Sequence, residues 1–137
     1  MPSISIPCPS IVDPHFGQLF FPGLEVSVKL SDGTFQPFEF ILDSGADCTM
    51  VPHAMAHLTG FTLPATPNAT VSGISGRPIS AYTGNMTLKI QNEEFAVRCL
   101  FTVSDRTPFL LGRVDFFSLF SVKFDGRNYL ITLEKMT

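Results

Sequence analysis

The chain has 137 residues, 45% of them hydrophobic and 15% charged, with a formal net charge of -3 at pH 7. This composition speaks against a disordered chain and against a basic nucleic-acid binder, and the length fits one domain with a real core. No apolar run approaches the ~20 residues of a membrane span, and Met1-Pro2-Ser3-Ile4-Ser5 lacks the basic start and apolar run of a signal peptide. A cytoplasmic protein with no membrane partner is therefore expected.

Residues 1–23 are rich in Pro and Phe without clear periodicity and read as an extended N-terminal arm. Residues 24–137 read as the domain proper. Leu24-Glu25-Val26-Ser27-Val28-Lys29-Leu30 alternates apolar and polar, as a half-buried strand does. Asp32-Gly33 centres a turn, so Phe35 to Leu42 is the returning strand of a hairpin. Pro52 to Thr59 is expected as a short helix, with Pro in its first turn and Gly60 as its stop.

Thr66 to Ile79 carries Ser72-Gly73-Ile74-Ser75-Gly76 between β-prone flanks, which predicts a glycine-bearing hairpin. Ala81 to Ile90 and Glu94 to Val103 form another hairpin. Phe109-Leu110-Leu111 is a short apolar strand ending at Gly112. Arg113 to Phe120 is expected as a helix. Ser121 to Phe124 and Tyr129 to Leu133 are strands around the turn Asp125-Gly126-Arg127-Asn128. The class is all-β with one or two short helices. Fourteen Phe and no Trp make phenylalanine the main aromatic of the core.

Cys8, Cys48 and Cys99 are an odd number without metal-ligand spacing, so they read as free thiols of a reducing compartment. His53 and His57 are four apart on the expected helix, but no neighbouring ligand completes a metal site, and none is expected. His15 shows no partner pattern. Asp105 and Asp115 read as surface or capping acids, and Cys99 as a core thiol. Asn68 and Asn85 open Asn-x-Thr triplets that read as coincidence without a secretory signal.

The chemistry concentrates at Phe40-Ile41-Leu42-Asp43-Ser44-Gly45-Ala46-Asp47. A core strand that runs into a carboxylate incurs a desolvation cost unless the acid is hydrogen-bonded, paired or protonated. A reactive site is one reason to keep it there.

Three motifs in order, Leu42-Asp43-Ser44-Gly45-Ala46-Asp47, Gly73-Ile74-Ser75-Gly76 and Leu110-Leu111-Gly112-Arg113, resemble those of the retropepsin family of aspartic proteases. The match spans roughly residues 24–124. The resemblance implies a closed or partly open β-barrel with a glycine-bearing flap hairpin, one lobe per chain, active as a homodimer. It implies Asp43 as the catalytic acid, with Ser44 bracing the dimer's catalytic loops and Gly45 admitting and bonding the substrate backbone. Asp47 would bind substrate backbone and pair with Arg113, Cys48 would lie near a pocket wall, and Gly73 and Ile74 would form the flap tip. Ala46, Gly112 and Arg113 would support the site, with Gly112 and Arg113 opening the helix that buttresses it. Leu42, Val51, Ile74 and Ile79 are expected as apolar pocket contributors. Arg77-Pro78 departs from retroviral flaps and leaves the flap register open, and the long arm suggests a dimer sheet built differently from the retroviral one.

One Asp-Ser-Gly per chain is half of the required pair of carboxylates, so the partner is a second copy across a twofold axis. The expected function is a homodimeric aspartic endopeptidase acting on extended peptides, without cofactor or metal and without nucleic acid. A retropepsin-fold peptide-binding or dimerisation module with little turnover is the competing reading. Asp43 as a mere turn acid and Asp47 as a purely structural partner of Arg113 are the plainer alternatives.

Overall fold

The computed structural model describes residues 3–73 and 76–136. Twelve strands and two short helices occur among them: β1 Ile4–Pro7, β2 Ser10–Asp13, β3 Gly17–Phe20, β4 Gly23–Lys29, β5 Phe35–Leu42, β6 Thr49–Pro52, α1 Ala54–Thr59, β7 Ala69–Val71, β8 Ile79–Ile90, β9 Glu93–Thr102, β10 Leu110–Leu111, α2 Phe116–Leu119, β11 Phe120–Asp125 and β12 Leu130–Lys135.

Seven strands form the main sheet in the order β4-β5-β10-β6-β9-β8-β7. A second pairing of β4 with β8, at Ser27 opposite Lys89 and Val28 opposite Leu88, curls the sheet into a partly closed barrel. The alternation read in β4 is realised: Leu24, Val26 and Val28 are fully buried, while Glu25 faces out. They meet Phe40, Phe101, Leu88 and Leu111 in one core. Phe95, Phe116 and Phe120 extend that core as a cluster of rings 5.1–6.0 Å apart, within the range of favourable edge and offset contacts.

The β4–β5 turn forms as expected. The Thr34 N–H and hydroxyl both donate to Asp32 Oδ1, and Gly33 takes φ +87°, a conformation open to glycine. Helix α1 ends at Gly60, whose left-handed backbone (φ +77°) donates to the carbonyls of Ala56 and His57.

Three regions differ in detail from the expectation. The described part of the expected arm is largely built of strands: β1 pairs antiparallel with β12, Ile4 opposite Leu133, and β2 and β3 form a hairpin. The sheet β1-β12-β11 is thus built within one chain. Strand β6 is an element that local pattern does not reveal. It runs parallel to β9 and antiparallel to β10.

The helix expected over Arg113 to Phe120 shrinks to Phe116–Leu119, so Gly112 and Arg113 precede it and do not open it. The Arg113 and Val114 N–H groups donate instead to the Ala46 and Asp47 carbonyls, at 2.9 and 2.8 Å. That commits their backbone to a parallel bridge, Cys48 beside Val114, before any helix can start.

No helix among the described residues is long and apolar enough to cross a membrane.

Candidate active site

Asp43 stands at the C-terminal end of β5, where the short parallel strand β10 lies alongside, Leu110 beside Ile41 and Leu111 beside Leu42. The Asp43 N–H donates to the Leu111 carbonyl at 3.0 Å, and the Leu42 N–H donates to Pro22 at 2.8 Å. The backbone entering Asp43 is therefore held from both flanks. After it the chain turns sharply: the Ala46 N–H reaches back to the Asp43 carbonyl, and the Gly45 N–H donates to Asp43 Oδ1 at 2.9 Å. The carboxylate is half-buried and hydrogen-bonded, which offsets the cost of ending a core strand in an acid.

The loop is closed underneath by Gly112 and Arg113. A Cβ on Gly112 would lie 2.3 Å from the Cys48 carbonyl oxygen, so only glycine permits this approach. The Arg113 guanidinium donates to the Ser44 carbonyl at 3.2 Å and to Asp47 Oδ1 at 2.5 Å. It thereby links the two ends of Ser44-Gly45-Ala46-Asp47. Ala46 is buried at the centre of this turn, while Ser44, Gly45 and Asp47 are exposed.

Above the loop, β7 and β8 pair through Val71 opposite Ile79, Thr70 opposite Ser80 and Ala69 opposite Ala81. The connection crosses residues 72–78, and the Gly76 N–H donates to the Gly73 carbonyl at 2.9 Å. Ile74, expected at the tip, lies outside the described residues together with Ser75. Loop and hairpin enclose a groove of about 640 Å³ that Asp43, Gly45, Met50, Gly73 and Leu110 help to line. Its size and mixed lining suit part of an extended peptide.

Cys48 is half-buried and lines a neighbouring recess with Asp47 and Leu100. Burial, and secondarily the Asp47 charge, push its thiol up from the ordinary range. Cys99, deeper in the core, is pushed up to about 12 by burial and its proximity to Cys48. All three cysteines are free. Two of the four expected pocket residues are corrected: Leu42 (4% exposed) and Val51 (0%) belong to the core. The sheet's period of two turns Met50, next to Val51 on β6, to the groove instead. Ile79 does line the adjoining cavity.

An ion pair that the sequence does not announce stands behind the loop. Asp115 accepts from the Arg98 backbone N–H, from Nε and from Nη2, at 2.8, 3.2 and 2.8 Å. These bonds hold its carboxyl below the usual carboxylate range. Asp115 occupies the N-cap position of α2 but makes no side-chain cap bond. His53 Nδ1 lies 3.1 Å from the Thr102 carbonyl, within hydrogen-bonding distance. Among the described residues no group of three or more His, Cys, Asp or Glu side chains is arranged to hold a metal ion.

The aspartyl protease family model matches residues 26–114. Among solved structures, a retropepsin-like aspartic protease from Rickettsia conorii is similar over 96% of this chain and 89% of its own, with TM-score 0.59 and 18% identity. The EIAV protease, solved with an inhibitor, is similar over 68% of this chain and 82% of its own, with TM-score 0.51 and 22% identity. None of the curated proteins matches the chain. The matched segment runs from β4 through β10 to the Arg113 bridge and so contains the whole Asp43 loop. The chain belongs to the aspartyl protease family, and its fold is that of the retropepsins, one lobe per chain.

Proposed function

We propose that the protein is a homodimeric aspartic endopeptidase. The observation that carries this reading is the half-buried Asp43 at the floor of the groove, in a loop braced on both sides. One carboxylate cannot serve as both general base and general acid toward the same water and carbonyl. A second copy across a twofold axis supplies the other, and the two share one proton because adjacent like charges cannot both ionise. The deprotonated Asp43 takes a proton from water as the water attacks the scissile carbonyl, and the protonated one donates toward the carbonyl oxygen.

In this reading Ser44, exposed beside Asp43, faces the partner's loop. Gly45, lacking a side chain, lets substrate backbone pass close. Asp47 and the Gly73 region hold the peptide from below and above, Cys48 walls the adjacent recess, and the β7–β8 hairpin opens and closes as a flap. Residues 1–23 precede the protease domain proper and contribute β1 to its terminal sheet.

The test is cleavage of a diverse unstructured peptide pool between about pH 4 and 8, read by mass spectrometry, with wild type and Asp43→Asn side by side. Cuts made by wild type and lost in the variant are expected. A folded, dimeric wild type that makes no cuts overturns the proposal in favour of a peptide-binding module.

A further inference from the structure

The groove over Asp43 does not end at its own walls. Met50, Val71, Gly73 and Leu110 also border a second cavity of about 340 Å³, so the two adjoin along a shared wall and together make a trough. The extension has a different chemistry. Arg77, from the return side of the β7–β8 hairpin, and Arg106, from the loop after β9, both line it, and no Asp or Glu does.

Neither guanidinium belongs to an ion pair among the described residues, where the pairs are His53–Asp105, Arg98–Asp115, Arg113–Asp47 and Lys135–Glu93. The acid nearest in sequence, Asp105, is directed to His53, with Oδ1 3.6 Å from Nδ1. Each of the cavity's hydroxyls makes a hydrogen bond: Thr102 Oγ1 donates to Thr107 Oγ1 at 2.7 Å, and Ser104 Oγ accepts from the Arg106 N–H at 3.2 Å. Two cations from two separate segments thus border an acid-free recess with an apolar floor.

We infer that this recess is a subsite for an anionic side chain of the substrate. Arg carries its charge at all working pH values and offers a planar fork that matches a carboxylate or phosphate. The substrates are therefore peptides that place Asp, Glu or a phosphorylated residue a short distance from the scissile bond. The apolar stretch of the trough takes the side chains beside the bond itself. Because Arg77 lies on the return side of the β7–β8 connection and Arg106 in the loop after β9, an anion bound to both links these two segments. The inference deepens the protease reading and rests on the trough being its peptide cleft.

The experiment separates the two. Asp43→Asn protein is equilibrated with a randomised peptide pool, and wild type digests the same pool. Both are repeated with Arg77→Gln, Arg106→Gln and the pair, each checked for an unchanged melting temperature. Matched peptides carrying Glu, Gln or phosphoserine at the enriched position then distinguish carboxylate from phosphate. Acidic enrichment is expected in both bound and cleaved peptides, with Glu favoured over Gln roughly fivefold to tenfold at low salt. The preference should fall in each single variant and vanish in the double one. It should also fade at about 0.5 M salt, where the Debye length is only ~4 Å. Cleavage without acidic preference, or a preference that survives the double substitution, overturns the subsite and leaves the protease reading standing. Acid-selective binding without any cleavage by wild type leaves the subsite standing and overturns the protease reading.

Discussion

Gly112 packs against Cys48 so closely that the space of a single methyl group is already occupied by the Cys48 backbone. This contact joins the Asp43 loop to the strand that braces it. Both of its sides are main chain, so neither can rotate away as a side chain would.

Gly112→Ala is therefore expected to be severe. Overpacking typically costs ~1–3 kcal/mol, and more where backbone must move. Chemical denaturation should show a loss at or above the top of that range. Peptide cleavage should fall further than the lost stability accounts for, because Arg113 and its bonds to Ser44 and Asp47 shift with the loop. An Ala variant as stable as wild type would show that the approach is not obligatory.

Asp47 and Arg113 separate stability from site geometry. Their side chains are 89% and 56% exposed, so the ion pair is worth at most ~1 kcal/mol to folding. Arg113→Lys keeps the charge and cannot reach two acceptors with a planar fork. Its melting temperature should stay close to wild type while kcat/KM drops by roughly tenfold or more, since a loosened loop no longer holds the proposed pair of acids in register. Equal effects on stability and activity would place the pair outside the site.

Asp115 supplies a pH signature. Arg98 lowers its carboxyl in the folded state through side-chain and backbone hydrogen bonds. A depressed folded-state value contributes stability above the unfolded value of about 3.9, and that contribution is lost as pH falls through the folded value. Asp115→Asn should thus be less stable than wild type at pH 7, and the gap should narrow below about pH 4. Thermal melts of both proteins across pH 2–7 read this directly, and a gap constant with pH would refute the linkage.

Thr49 offers a gain. It is fully buried in β6, and its Oγ1 has no hydrogen-bond partner among the described residues. Val has the same shape without the hydroxyl, so Thr49→Val removes a desolvated polar atom and leaves no cavity. An increase of about 1 kcal/mol is expected in urea unfolding. A loss of similar size would mean that the hydroxyl has a partner in the working protein, for instance bound water.

The elements legible in the sequence are those whose cause is local. The alternation of β4, the Asp32-Gly33 turn, the β8–β9 hairpin and the Gly60 stop all depend on a few adjacent residues. The Asp43 loop was legible through its motif, because an acid at the end of an apolar strand is conspicuous. What escaped depends on distant partners. Ile4 and Ile6 look like part of an irregular arm until Leu133 and Ile131 stand opposite them. Thr49–Pro52 is four residues long and becomes a strand because β9 and β10 flank it. The Arg98–Asp115 pair bridges β9 and the start of α2, and spacing alone carries no trace of it. Leu42 and Val51 were expected beside the groove, but one step of strand alternation separates groove from core, and apolar character alone does not choose the face.

The pairing of β5 with β10 sets an order of events during synthesis. A ribosome adding ~5–20 residues per second makes Asp43 several seconds before Leu110 and Leu111 emerge to hold it. Until then the Asp43 loop lacks its brace, and β1 waits longer still for β12. Under the proposed function a nascent chain is therefore a poor protease toward its neighbours. Hydrolytic capacity arrives only once the residues through β12 have left the exit tunnel.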